Sequence, residues 1–264
     1  MLAGYTQALR GSHPNVRLQF SITALLGIAI DGGIYAIIFN LFILRLGYGP
    51  EFVGLVNSVA NLVFAAGSLL AGWLGMQWGQ RRTMIAGLAV LSVGAMAVPL
   101  ATVVPAAARG GWIMVSFVVA YSGLALYYVN SGPFLLRVTS AANRGNIFAL
   151  QSAISSIASF TGSIIGGLLP GFVALLLGLS MTQPGPYQAP LFLVAGLTVV
   201  SLLVLLRTRE PAPAAELEGR EEPRAGGAPS MMTAYGLIAF MAVVRFLQVA
   251  GVGEQHDVLQ CLYG

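Results

Sequence analysis

Six long apolar stretches, joined by short turns and almost empty of charge, run from residue 18 to residue 206. Only two carboxylates fall in that range: Glu51, in a Gly-Tyr-Gly-Pro-Glu turn, and Asp31, inside the first stretch. A soluble domain is about 45–50% apolar and about 25% charged. At 57% hydrophobic and 8% charged, with a mean hydropathy of +0.82, this chain has too little polar surface to cover its apolar atoms in water. The composition calls for lipid as solvent. Helix is the regular structure that fits, because backbone groups in hydrocarbon must be paired and the alternating pattern of a membrane barrel is absent.

Crossing the hydrocarbon takes about 20 helical residues at about 1.5 Å each. Spans are expected at 18–45, 52–77, 83–104, 112–136, 145–177 and 189–206, several of them long enough to tilt or protrude. Residues 1–17 are polar and lack the apolar core and cleavage site of a signal peptide, so they read as a cytosolic tail. Residues 180–189, with Pro184, Gly185 and Pro186, read as a turn. Residues 207–230 are rich in Arg, Glu and Pro, bury nothing, and read as a solvated linker. A seventh span follows at 231–253. The final stretch, 254–264, turns abruptly to Glu, Gln, His, Asp and Cys. Shifting a plausible back-translation of it by one base yields a string whose Phe-Phe-Asn falls opposite Ile38, Phe39 and Asn40, so a frameshift, or a contig end, is expected there.

Arginine placement sets the expected orientation. With the N-terminus inside, Arg10, Arg17, Arg81, Arg82, Arg137, Arg144, Arg207, Arg209, Arg220 and Arg224 are all cytoplasmic. Only Arg45 and Arg109 lie at outer ends. The expected location is a prokaryotic inner (plasma) membrane, with the 207–230 linker cytoplasmic.

Several function classes drop out. All 13 basic residues are arginines at loops or span ends apart from Arg245, and no basic, aromatic-interleaved surface suits nucleic acid. Cys261 is alone, which excludes an intramolecular disulfide and a CxxC metal site. His13 and His256 lie outside the spans, and without lysine no Ser–Lys dyad can form. Neither an enzyme, a metal site nor a cofactor is expected. The partners expected are the lipid bilayer and a small molecule whose identity the sequence leaves open.

Between spans two and three the chain reads Gly72-Trp-Leu-Gly-Met-Gln-Trp-Gly79-Gln-Arg81-Arg82. This resembles the cytoplasmic loop signature of the major facilitator superfamily, with Gly72, Gly79, Arg81 and Arg82 in place. The family's acid and first base fall on Met76 and Gln77, so the latch that the acid makes is missing. Faint repeats accompany the loop. Leu26, Ala29 and Gly32 match Leu247, Ala250 and Gly253 at one offset, and Gly33 and Asn40 share their spacing with Gly123 and Asn130 of span four. The fifth-span motif of drug–proton antiporters is scrambled among Gly162, Gly166, Gly167, Pro170 and Gly171. The fourth-span Arg-Gly motif is absent. The resemblance implies an all-α, polytopic membrane protein: a six-helix N-terminal bundle of two inverted three-helix repeats, plus the first helix of a second half. It implies a secondary transporter working by alternating access, with a homodimer or a separate C-terminal half supplying the other wall. A non-transporting scaffold or inert truncation product is the alternative.

Asp31 is the leading site candidate. It lies about 13 residues, or roughly 20 Å, from Leu18, where a charged Asp costs about 2.5–3.5 kcal/mol. A wet cavity or an acquired proton relieves that cost, which makes Asp31 a proton or cation site; alternatively its carboxylate caps a helix break at Gly32-Gly33. Tyr35 is expected on the same face. Asn57 and Asn61 share a face of span two, as do Tyr121 and Tyr128 of span four, and Asn40, Asn130 and Gln151 add polar groups at depth. Each amide reads either as a substrate contact or as a helix-to-helix hydrogen bond. Tyr128, next to Tyr127, alternatively belongs to an interfacial belt. Ser152, Ser156, Ser159 and Ser163 read as a packing stripe. Arg245 of the seventh span is a candidate partner for Asp31 or for an anionic substrate, though aligning the repeats places it about 10 Å nearer the cytoplasm. Gly72, Gly79, Arg81 and Arg82 form a candidate gating loop.

Overall fold

The computed structural model describes residues 14–139 and 143–208, and all regular structure among them is helical. Helices α1 (Pro14–Ala29) and α2 (Ile34–Arg45) make up the first span, and α3 (Pro50–Trp78) is the second. The third is α4 (Gln80–Ala97), extended by a single 3-10 turn, Pro99–Thr102. Helices α5 (Ala106–Arg137), α6 (Arg144–Leu177) and α7 (Gly185–Leu206) complete six segments long and apolar enough to cross a membrane. The seventh span, nearly all of the linker and both chain ends lie outside the described residues.

Helix ends run beyond the apolar runs because the caps, rather than hydropathy, decide them. Pro50 opens α3, where its missing N–H has no partner to lose. Pro186 does the same within the first turn of α7, so the turn expected over 180–189 closes earlier, at Pro184. Gly79 alone forms the corner between α3 and α4, at φ +88, a conformation glycine adopts without strain.

The first span is not continuous. At residues 30–33 the α-helix opens; the Ile30 and Asp31 amides both reach the Leu26 carbonyl, and Gly32 takes φ +74. Asp-Gly-Gly supplies the low helix propensity that permits this. The tertiary contact comes from α6, where Gly162 and Gly166 lie so close that a Cβ on either would press into the backbone of Ile28, Gly33 or Ile34.

The packing repeats itself. Exchanging spans one, two and three for four, five and six maps the pairs onto one another: α3 lies on α5 as α6 lies on the first span, and α4 lies on α5 as α7 lies on the first span. The pair α4 on α7 maps onto itself, and α3 on α4 exchanges with α6 on α7. This is the arrangement of two inverted three-helix repeats. The Gly33/Asn40 and Gly123/Asn130 correspondence does not carry over into equivalent contacts. Gly123 presses on α4 at Gly87 and Leu91, whereas Gly33 is crowded by its own span at Gly27 and Ile28.

Apolar cores lie on either side of the break. One joins α2 to α5 and α7 through Ile34, Ile38, Phe42, Phe117 and Leu191. The other joins α1 to α4, α5 and α7 through Ile22, Leu26, Leu88, Tyr127 and Leu205. Spans two and five are peripheral: 11% and 22% of their most apolar windows are buried, against 56% for spans one and three.

Candidate functional site

A cavity of about 190 Å³ opens where α1, α5 and α6 meet. Its wall is built from Thr23 and Leu26 of α1, Asp31 of the break, and Tyr127, Tyr128 and Ser131 of α5. Gln151, Ser152 and Ser155 of α6 close it. Gln151 lies about 10 Å along α6 from Arg144, and Ser131 about 9 Å along α5 from Arg137. The cavity therefore occupies the half of the bundle nearer the end that carries Arg17, Arg81, Arg82, Arg137, Arg144 and Arg207.

The break delivers Asp31 to this wall. Released from the helical repeat, its carboxylate accepts a hydrogen bond from the Tyr128 phenol of α5, ninety-seven residues away in sequence. The neighbouring Gly32 carbonyl is held from the other side by the Ser163 hydroxyl at 2.5 Å. Two helices thus pin the unwound segment by side chains. The expectation of a cap at Gly32-Gly33 was right about the break's position, but the hydrogen bond found for the carboxylate is to Tyr128 and not to local amides.

Hydrogen bonds tie the polar side chains of the wall to one another and to Gln19. Gln19, fully buried, donates to the Tyr127 hydroxyl at 2.9 Å, and Gln151 donates to the Thr23 hydroxyl at 3.4 Å. Asp31, Tyr128 and Gln151 are therefore brought together, with Tyr121 on the same face of α5 but packed against Phe117, centroids 4.6 Å apart.

Other candidates are placed elsewhere. Because the break resets the helical phase, Tyr35 does not continue Asp31's face. It is buried in a stack with Phe39 (5.2 Å) and Phe117 (5.9 Å), its hydroxyl without a hydrogen-bond partner among the described residues. Asn57 donates to Asn40 at 3.0 Å and to the Val53 carbonyl, and Asn61 donates to the Asn57 carbonyl. Asn130 donates to the Ala71 carbonyl of α3 at 3.0 Å. These amides join helices or close local turns and do not line the cavity. Arg245 lies outside the described residues. The serine stripe divides: Ser159 and Ser163 pack on the break, whereas Ser152 lines the cavity. Sequence reasoning missed Thr23, Ser131 and Ser155, although Gln19 and Thr23, four residues apart in an apolar span, were a readable signal.

Beside the candidate gating loop, Gly75 lies so close to α5 that a Cβ would strike the Asn130 side chain, while Gly72 faces Val129 at ordinary contact distance. Arg81 donates to the Leu206 and Thr208 carbonyls at 3.0 and 2.9 Å, which places a cation on the carbonyl end of α7. Arg82 is exposed. Among the described residues no group of three or more His, Cys, Asp or Glu could hold a metal ion.

Residues 21–256 match the family described as the Major Facilitator Superfamily. The fold is similar to a crystal structure of the E. coli fucose:proton symporter, with TM-score 0.59 and 18% identity over 75% of this chain and 50% of that one. It is also similar to a D-xylose-proton symporter, with TM-score 0.55 and 13% identity over 90% of this chain and 54% of that one. The chain thus spans about half the length of these structures. No curated protein matches it.

Proposed function

Given that the chain belongs to the major facilitator superfamily, we propose that it forms one half of a secondary transporter for a small molecule, with its N-terminus in the cytoplasm of a prokaryotic cell. Its six spans are one wall of a central path, and alternating access comes when this bundle rocks against a second one. That second bundle is either another copy of the chain or a separately encoded C-terminal half. The observation that carries the reading is the Asp31 carboxylate: an ionisable group at a helix break, facing a polar cavity, and joined by Tyr128 to the repeat-related span.

In this reading Asp31 is the coupling site, Tyr128 and Gln151 line the pathway, and Tyr121 borders it. Tyr35, Asn40, Asn57, Asn61 and Asn130 set the helix packing that the movement works against. The corner of Gly72, Gly79, Arg81 and Arg82 moves as one piece with the end of α7. The test is solute uptake and efflux in proteoliposomes, with and without a co-expressed C-terminal half. Transport by wild type with a pH dependence that Asp31→Asn flattens supports the reading; an unaltered pH dependence in the variant removes Asp31 from coupling.

A non-transporting membrane scaffold is the second reading. It is favoured by the exposed Met76 and Gln77 where the family carries a charged latch, and absence of any flux with the second half present selects it.

A further inference from the structure

The cavity has a definite chemical preference. Among the described residues Asp31 is the one charged residue lining it, and no Arg, Lys or His of theirs stands in its wall. The carboxylate has about four acceptor positions, of which the Tyr128 phenol occupies one. The break sets Asp31 between the carbonyl end of α1 and the amide end of α2, whose partial charges oppose each other. The carboxylate's own charge therefore dominates the site. The exposed Arg137 and Arg144 lie about 9–10 Å along their helices from the cavity residues Ser131 and Gln151, so neither pairs directly with the carboxylate and solvent weakens their effect.

Size and lining narrow the ligand further. A volume of about 190 Å³ exceeds the ~150 Å³ of a cavity that holds benzene, so there is room for an organic molecule of several heavy atoms as well as for a proton. Every oxygen on offer can accept a hydrogen bond. Ser131 spends its proton on the Tyr128 carbonyl at 2.9 Å, Thr23 receives Gln151 and keeps both its own O–H and a second acceptor position, and Gln151 keeps its own carbonyl oxygen. A group with several N–H donors and a positive charge satisfies these acceptors together. An anion meets the carboxylate unpaired, and a quaternary ammonium leaves the acceptors without donors.

We propose that this cavity binds a small protonated primary amine, with its ammonium on the Asp31 carboxylate and its N–H groups shared with the hydroxyl and amide oxygens of α1, α5 and α6. The assignment names a substrate class for the transporter proposed above and rests on that reading only for the ligand's being carried. The site itself is a binding site with or without flux.

The test is thermal unfolding of the purified full chain in detergent, titrated with 1-propylammonium, 1-propanol, propionate and tetramethylammonium as separate probes. The first three share a carbon skeleton and differ in charge, so wild-type protein alone decides the question. Saturable stabilisation by propylammonium at a concentration at least about tenfold below any effect of the other three is expected, and Asp31→Asn removes it. Equal stabilisation by propanol or propionate overturns the proposal, as does a propylammonium effect that survives in a folded Asp31→Asn variant. Flux separates the two readings. Propylammonium binding without flux, in proteoliposomes containing the second half, sinks the transporter and leaves the site; flux of another solute without propylammonium binding sinks the site alone.

Discussion

Spans one and four hold equivalent places in the two repeats, yet they solve the same packing problem differently. Span four is an uninterrupted helix, Ala106–Arg137, even with Pro133 inside it, and it meets α4 through glycines. A Cβ on Gly94 would strike the Ala120 backbone, and one on Gly123 would strike Gly87 and Leu91. Span one gives up its helix for four residues and is held there by two side-chain hydrogen bonds. The contrast separates two uses of glycine. In span four it brings backbones together and fixes a distance; in span one it frees backbone geometry so that a carboxylate reaches a cavity.

That contrast can be broken experimentally. Gly123→Val gives the largest expected effect: it forces apart two backbones that cannot yield locally, at about 3 kcal/mol. Thermal unfolding in detergent should show a marked fall, and an unchanged midpoint would mean that α4 and α5 are not in close contact. Tyr128→Phe comes next. It takes one hydrogen bond from a carboxylate, worth about 2 kcal/mol, and the loss should fall on the break, so hydrogen exchange at residues 30–34 should accelerate while that at 120–127 stays slow. Uniform acceleration along both spans would erase the distinction. Gly32→Ala keeps both clasps but strains a positive φ, for about 1 kcal/mol. Asn57→Leu should register least, about 0.6 kcal/mol, because the Asn40 bond it removes is an ordinary one between helices.

How much of this was legible in the sequence follows from the size of each signal. Long apolar runs fix the spans, since nothing else lets some twenty residues avoid water. Gly79 and the arginine pair mark a corner that the structure realises with one residue. Asp31 stands out for its charge alone. Its partner did not, because the Asp31–Tyr128 hydrogen bond depends on how α1 and α5 pack, and a tyrosine in an apolar span suits an interfacial belt as well as a cavity. Tyr35 was misplaced for a related reason: spacing of four implies a shared face only while the helix persists, and the opening at 30–33 cancels the rule. Thr23, Ser131 and Ser155 were overlooked because small hydroxyls barely alter hydropathy, so their gathering around one cavity is visible only in three dimensions.

The grip of Arg81 on the last carbonyls of α7 has a mechanical meaning. A pull applied at Thr208 is met first by a guanidinium rooted beside the Gly79 corner. Tension applied to one end of span six is shared at once with spans two and three, and the bundle is tugged as a block before any single helix is peeled away.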